Sequence, residues 1–336
     1  MMLYRPLGAS GIEASVVGLG AWAIGGWMWG GTDQNDSINA IHAALDNGIN
    51  LIDTAPIYGF GLSEQIIGQA IKNKRDKVVL ATKCGLVWDK QKGVFYFNSD
   101  EKSPCDYSST RKVYKYLHPD SISDEIENSL TRLATDYIDL YQTHRQDSTT
   151  AIEDTMAALL KFKEQGKIRA IGVSNVTVEQ LNAYGPIDTA QERYSMFDDN
   201  IVKNNVLPYC LDHNIAVLAY SPLEQGLLTG KISAERNFAE GDQRNKKPAF
   251  SQENRKRVND MLTEFQPFAK KHNVTIGQLV IAWTFAQPGL THVLCGARNA
   301  HQAIENALAG SLNLTPDDIN QMSGIAKASF PQGLPK

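Results

Sequence analysis

The strongest constraint on this chain is a rhythm. Eight times, an apolar run of strand length gives way to a segment of helical periodicity. The runs are residues 16–19, 49–52, 78–82, Y-I-D-L-Y from Tyr137, I-R-A-I-G-V from Ile168, I-D-T-A-Q from Ile187, I-A-V-L-A-Y from Ile215, and 292–295. Helical stretches follow at 36–47, 63–71, 151–165, 178–183, 202–213, 254–271, 276–285 and 301–308, and one more helix at 314–325. Another helix shows Ile122, Ile126, Leu130 and Leu133 on one face, with Ser121 and Asp124 resembling a capping box at its start. Gly166 is placed to end the 151–165 helix. Strands that alternate with helices form parallel βαβ units, and eight such units close into a (β/α)8 barrel.

No composition shift marks a linker, so residues 1–336 are expected to form one barrel domain. The opening L-Y-R-P-L-G-A-S-G-I-E-A-S reads as a β-hairpin ahead of the first barrel strand, expected to plug the barrel bottom, and extra helices are expected at the C-terminal end. With 42% hydrophobic and 21% charged residues, the chain has the make-up of a soluble globular protein. A formal charge of -4 argues against nucleic acid or an anionic membrane as the main partner. No signal pattern opens the chain and no apolar run approaches a membrane span, so a cytoplasmic protein is expected. Cys84, Cys105, Cys210 and Cys295 are scattered without metal or redox spacing and read as reduced thiols; no metal site is expected.

Two segments break or mimic a pattern. Residues 84–119 join the third strand to its helix through a loop carrying Trp88, Phe95, Tyr96, Phe97, Tyr107, Tyr114 and Tyr116. Loops of that length tend to be functional, and on a barrel this one lies at the C-terminal face, where substrates bind. The string from Gly18 through Gly20 to Ala23 fits G-x-G-x-x-A, but W-A-I-G-G-W-M-W-G-G follows where a helix would have to start. A Rossmann domain is therefore excluded.

In a barrel, the residues ending successive strands share one mouth. Strand two ends at Asp53, with Tyr58 in the turn beyond; strand three ends at Lys83 and strand four at His144. Adjacent strands lie about 4.8 Å apart, so these side chains can meet. An ammonium beside a phenol is expected to lower the phenol's pKa, and a carboxylate holds the ammonium in place. A histidine beside them can hydrogen-bond a carbonyl oxygen. Such a site exchanges a proton at a carbonyl or alcohol oxygen, and since nothing in it supplies a hydride, a cofactor must.

Asp53, Tyr58, Lys83 and His144, in that order, resemble the catalytic tetrad of the aldo-keto reductases. The strings L-I-D-T-A-P-I-Y-G, T-K-C-G, D-Y-I-D-L-Y-Q-T-H, G-K-I-R-A-I-G-V-S-N, A-Y-S-P-L-E-Q-G-L-L-T-G-K and G-A-R-N-A-H-Q-A-I-E-N are similar to that family from Gly18 to Asn306. The branch resembles the bacterial reductases related to potassium-channel β subunits. The resemblance implies NADP(H) extended across the mouth, with Ser174, Asn175 and Gln191 on the carboxamide and Tyr220 stacked on the nicotinamide. It further implies Ser221, Leu223, Gln225, Gly226 and Lys231 along the pyrophosphate, and Gly296, Arg298, Gln302, Glu305 and Asn306 at the adenosine end. Arg298 stands at a helix start, where a 2′-phosphate would meet both a guanidinium and a helix N-terminus, which favours NADPH. Arg244 is expected to add a second basic group from residues 221–252, a loop expected to cover the cofactor.

Trp22, Trp27 and Trp29, with Trp88, are expected to line the substrate pocket beside Tyr58 and His144. Arg145 stands where the family usually has Trp; an arginine there either favours an anionic substrate or points outward without a role in the pocket. The expected function is NADPH-dependent reduction of an aldehyde or ketone, a sugar or polyol carbonyl included, with Tyr58 as general acid. The alternatives are an NADP(H)-binding regulatory subunit of slow turnover, and a Schiff-base enzyme with Lys83 as nucleophile.

Overall fold

The computed structural model describes residues 1–99 and 110–335. Cys105, Tyr107 and part of the 84–119 loop lie outside the described residues. The chain opens with an antiparallel hairpin of β1 (Tyr4–Pro6) and β2 (Glu13–Ser15). In chain order follow β3 (Val17–Gly20), α1 (Gln34–Asp46), β4 (Leu51–Asp53), α2 (Leu62–Ala70) and β5 (Val79–Cys84). Three short strands come next, β6 (Leu86–Val87), β7 (Val94–Asn98) and β8 (Lys112–Lys115). The rhythm resumes with α3 (Pro119–Leu133), β9 (Ile138–Thr143), α4 (Ile152–Glu164), β10 (Ile168–Ser174), α5 (Val178–Tyr184) and β11 (Thr189–Arg193). Then come α6 (Asn200–Lys203), α7 (Val206–Asp212), β12 (Ala216–Tyr220), α8 (Gln252–Thr263), α9 (Gln266–His272) and α10 (Ile276–Phe285). The chain ends with β13 (Leu290–Gly296), α11 (Ala300–Ala309) and α12 (Pro316–Ser329).

Strands β3, β4, β5, β9, β10, β11, β12 and β13 form a closed barrel, and every pairing in it is parallel. This is the (β/α)8 barrel that the alternating pattern predicts. Its interior is a separate apolar cluster in which Leu51, Val79, Leu140, Leu218 and Leu294 meet Leu7, Ile12 and Ala14 of the hairpin. The hairpin seats at the N-terminal end of the strands. Arg5 donates to the carbonyls of Phe285 and Leu290, and a Cβ on Gly8 (φ 55°) would fall 2.1 Å from the Asp188 carbonyl oxygen, just before β11. Only glycine fits that approach.

Four local expectations are corrected. Ser121 is not a helix cap: α3 starts earlier, with Pro119 in the first turn and His118 Nδ1 accepting from Asp120 N–H. Proline suits that position because it has no N–H to satisfy. The stretch 202–213 is two helices, broken where Asn205 takes a left-handed backbone (φ 60°). The stretch 254–271 likewise splits into α8 and α9, with Pro267 opening the second. The 84–119 segment carries β6, β8 and β7 as a small antiparallel sheet rather than bare loop.

Among the described residues no helix is long and apolar enough to cross a membrane, and no group of three His, Cys, Asp or Glu could hold a metal ion. Cys84, Cys210 and Cys295 are buried free thiols.

Candidate active site

The strand ends place the tetrad. Asp53 closes β4, Lys83 is the penultimate residue of β5, and His144 follows β9. Register brings Lys83 beside Gln142 and Ser174 beside Gln191. Tyr58 comes from the turn after β4. That turn packs backbone to backbone on the first loop, since a Cβ on Gly25 would lie 2.5 Å from the Tyr58 carbonyl carbon.

Lys83 is fully buried. Its Nζ donates to Asp53 Oδ1 (2.9 Å) and Oδ2 (2.7 Å) and to the Thr54 carbonyl (2.8 Å), and lies 3.4 Å from the Tyr58 hydroxyl. Asp53 Oδ1 also accepts from Gln142 Nε2 (3.2 Å) and Gln191 Nε2 (2.7 Å). The carboxylate is thus satisfied on every side, as a buried charge must be. The Tyr58 and His144 rings meet edge-on, with centroids 5.8 Å apart.

The electrostatics correct one expectation. The Tyr58 hydroxyl is held well above its ordinary pKa, chiefly by burial and then by the Asp53 carboxylate; the cation that opposes this is Arg145. Lys83 spends its charge on Asp53, and its own pKa is lowered by burial. Tyr58 is therefore a protonated phenol, a donor rather than a phenolate. Burial, and then the charges of Lys83 and Arg145, hold the His144 pKa well below normal, so the imidazole is neutral. The bound state of Lys83 also opposes the Schiff-base reading, because attack would have to strip Nζ from three acceptors.

Above the tetrad opens a cleft of about 750 Å³, a size that suits a small ligand. Asp53, Tyr58, His144, Ser174, Asn175, Gln191, Tyr220, Ser221, Leu223, Gln225, Gly226, Lys231, Arg244, Gly296, Arg298, Gln302, Glu305 and Asn306 all line it, as do Trp22, Trp27, Trp29 and Arg145. Lys83 lies beneath the lining. Trp88 does not reach the cleft: its indole packs edge-on against Phe60, 5.3 Å between centroids. The aromatic wall comes instead from Tyr96 and Phe97 of β7. Sequence reasoning also missed Gln142, whose signal was its place near the end of β9, two residues before His144, a spacing that gives both side chains the same face where the extended backbone continues.

Several features suit an extended, phosphate-bearing ligand. Ser221, Glu224 and Gln225 adopt left-handed backbone (φ 60°, 44° and 56°) beside Gly226 (φ 93°), a strained run of the kind that shapes ligand clamps and anion nests. Glu224 is fixed by Arg193 and Ser195. The indole N–H of Trp29 is buried in the cleft wall with no partner among the described residues. Tyr220 donates to Asn175 Oδ1 (2.8 Å), and Asn175 donates to Ser174 Oγ and to the His144 carbonyl. The segment after β12 crosses to the first loop: Asp242 bridges Trp29, and Gln243 N–H donates to the Met28 carbonyl. Arg244 grips Asp242, Arg298 donates to the carbonyls of Trp29 (3.2 Å) and Gly31 (2.6 Å), and Lys231 pairs with Glu305.

A closed parallel barrel with this cleft at the C-terminal ends of its strands has the architecture of a (β/α)8 enzyme, whose sites lie at that face. The sequence profile of the Aldo/keto reductase family matches residues 16–327, and the chain belongs to that family. It is 43% identical over 332 residues to an NADH-specific methylglyoxal reductase of Escherichia coli (strain K12), covering 96% of this chain and 98% of that protein. It is 42% identical over 328 residues to an aldo-keto reductase of Bacillus subtilis (strain 168), covering 95% and 93%. Among solved structures, a glycerol dehydrogenase from Gluconobacter oxydans superposes with a TM-score of 0.84 at 37% identity, covering 98% of this chain and 96% of that one.

Proposed function

We propose that this chain reduces a small aldehyde or ketone to the alcohol, reversibly, with Tyr58 as the general acid and NADPH as the reductant. The observation that carries the reading is the Lys83–Asp53 pair beneath a protonated phenol at the edge of the cleft. The cofactor, when bound, supplies the hydride, and the chain's own residues do the rest. Neutral His144 donates a hydrogen bond that orients the carbonyl oxygen toward Tyr58, and Tyr58 delivers its proton there as the carbon is reduced. Lys83, clamped by Asp53, stabilises the phenolate that remains. Ser174, Asn175 and Gln191 suit the carboxamide, Tyr220 the ring face, and the residues 221–231 the pyrophosphate. Gly296, Arg298, Gln302, Glu305 and Asn306 suit the adenosine end, with Arg298 and Arg244 favouring a 2′-phosphate.

A second reading of the cofactor is NADH. The Glu305 carboxylate lines the same end of the cleft and has to be neutralised by Lys231, and the E. coli relative is named NADH-specific. Tyr58→Phe tests the core of the proposal. Turnover of small carbonyls should fall by about 10²- to 10⁴-fold while fluorescence titration shows cofactor affinity unchanged. Full turnover in that variant would exclude Tyr58 as the acid. Equal kcat/KM for NADPH and NADH would remove the cofactor preference and leave the chemistry standing.

A further inference from the structure

Arg145 is out of keeping with the other cations of the cleft. Lys83 is spent on Asp53, Arg193 on Glu224, Arg244 on Asp242, Lys247 on Gln225, and Arg298 on two backbone carbonyls. Arg236 is exposed on the segment that crosses the cleft. Arg145 is half-buried and lines the cleft, yet it makes no hydrogen bond or ion pair among the described residues. Among the described residues, the ring that its guanidinium faces is Tyr96, 5.8 Å from the centroid. Its charge reaches Tyr58, His144 and Tyr220, which places it against the reacting end of the cleft rather than the adenosine end. Glu192 also feels Arg145, but it accepts from Val176 N–H, and burial lifts its pKa to about 7, so it neutralises the guanidinium poorly. A partly desolvated arginine without a counter-ion is costly to keep, and an incoming anion relieves that cost.

We infer that the substrate of this site carries a carboxylate a few carbons from its carbonyl group, and that Arg145 binds that carboxylate. The inference rests on the reading of Tyr58 and His144 as the groups that receive the carbonyl oxygen. With the oxygen between Tyr58 and His144, the substituent nearest the next residue of the chain meets the guanidinium. Tyr96 and Trp22 then flank the short carbon chain between the two ends.

The test compares 4-oxobutanoate with its neutral methyl ester in wild type, Arg145→Gln and Arg145→Lys. The ratio of the two kcat/KM values cancels any general loss of activity, so it reports charge recognition rather than damage to the fold. The acid should be preferred about ten- to hundredfold in wild type, mostly through KM. The preference should collapse to near one in Arg145→Gln and survive in part in Arg145→Lys. A wild-type ratio near one, or the same ratio in wild type and Arg145→Gln, would overturn the inference. Should no carbonyl compound be turned over, the proposed function fails on its own account, and calorimetric binding of succinate decides the matter of Arg145. Binding by wild type and not by Arg145→Gln supports the carboxylate site, and no binding by wild type overturns it.

Discussion

Replacing Lys83 with methionine probes the part of the site on which everything else is built. Lys83 is fully buried, and Asp53 is only 3% exposed. Methionine keeps the length of the side chain and removes the charge. Asp53 Oδ1 would retain Gln142 and Gln191, but Oδ2 would lose the 2.7 Å contact with Nζ, and the Thr54 carbonyl would lose its 2.8 Å donor. Breaking a buried pair on one side leaves an uncompensated charge and costs about 3–5 kcal/mol. The double variant Lys83→Met with Asp53→Asn removes that charge while keeping an oxygen for the two glutamine amides. It should recover about 2 kcal/mol of the loss, because the uncompensated charge is gone while the Thr54 carbonyl still lacks its donor. Urea denaturation, followed by tryptophan fluorescence and far-UV circular dichroism together, measures both numbers and tests whether one transition describes them. A loss below about 1 kcal/mol for Lys83→Met, or a double variant no more stable than the single, would refute the picture of a desolvated, mutually dependent pair.

Further outcomes follow from the same geometry. Because burial and Asp53 hold the Tyr58 pKa above its ordinary value, and reduction needs the protonated phenol, kcat for reduction should stay flat from pH 7 to about 10. Alcohol oxidation, which needs the phenolate, should instead rise with pH. A reductive profile falling near pH 8 would contradict this. Arg298→Leu should raise KM for NADPH about tenfold or more and KM for NADH by less; an equal rise would make the guanidinium a strut for the Trp29–Gly31 loop and nothing else. Gly8→Ala should destabilise by about 1–3 kcal/mol, since the methyl would meet the Asp188 carbonyl in a left-handed backbone. An unchanged unfolding midpoint would mean that the hairpin is not seated as described.

The barrel was legible because its strands are largely buried on both faces and therefore read as predominantly apolar runs, interrupted by single polar residues such as Asp139 and Arg169. The tetrad was legible for a related reason: a charge where a buried strand stops is an anomaly, and Asp53, Lys83 and His144 fall at three consecutive strand ends. Helix breaks were harder. Asn205 and Pro267 interrupt segments whose apolar spacing continues across the break, so periodicity alone ran through them. Gln142 was passed over because an uncharged amide within a strand string looks like ordinary packing, whereas its role comes from register, which places it beside Lys83. Tyr58 was read as the acid, but the direction of its pKa shift was misread because desolvation is a property of the folded site: a string of letters shows a lysine nearby and does not show that burial outweighs it. Trp88 shows the same limit, an aromatic in the right segment that turns toward Phe60 instead of the cleft.

The hairpin plug has a kinetic consequence. Leu7, Ile12 and Ala14 pack into the floor of the barrel against Leu51, Val79 and Leu140, an apolar layer that opposes the entry of water toward Lys83 and Tyr58 from below. Under the proposed function, each proton that Tyr58 gives to a substrate is then restored from the side of the cleft, the side by which the substrate came. On that reading, refilling and substrate traffic share one opening, so a bound carbonyl itself shields the acid from bulk water until the alcohol departs.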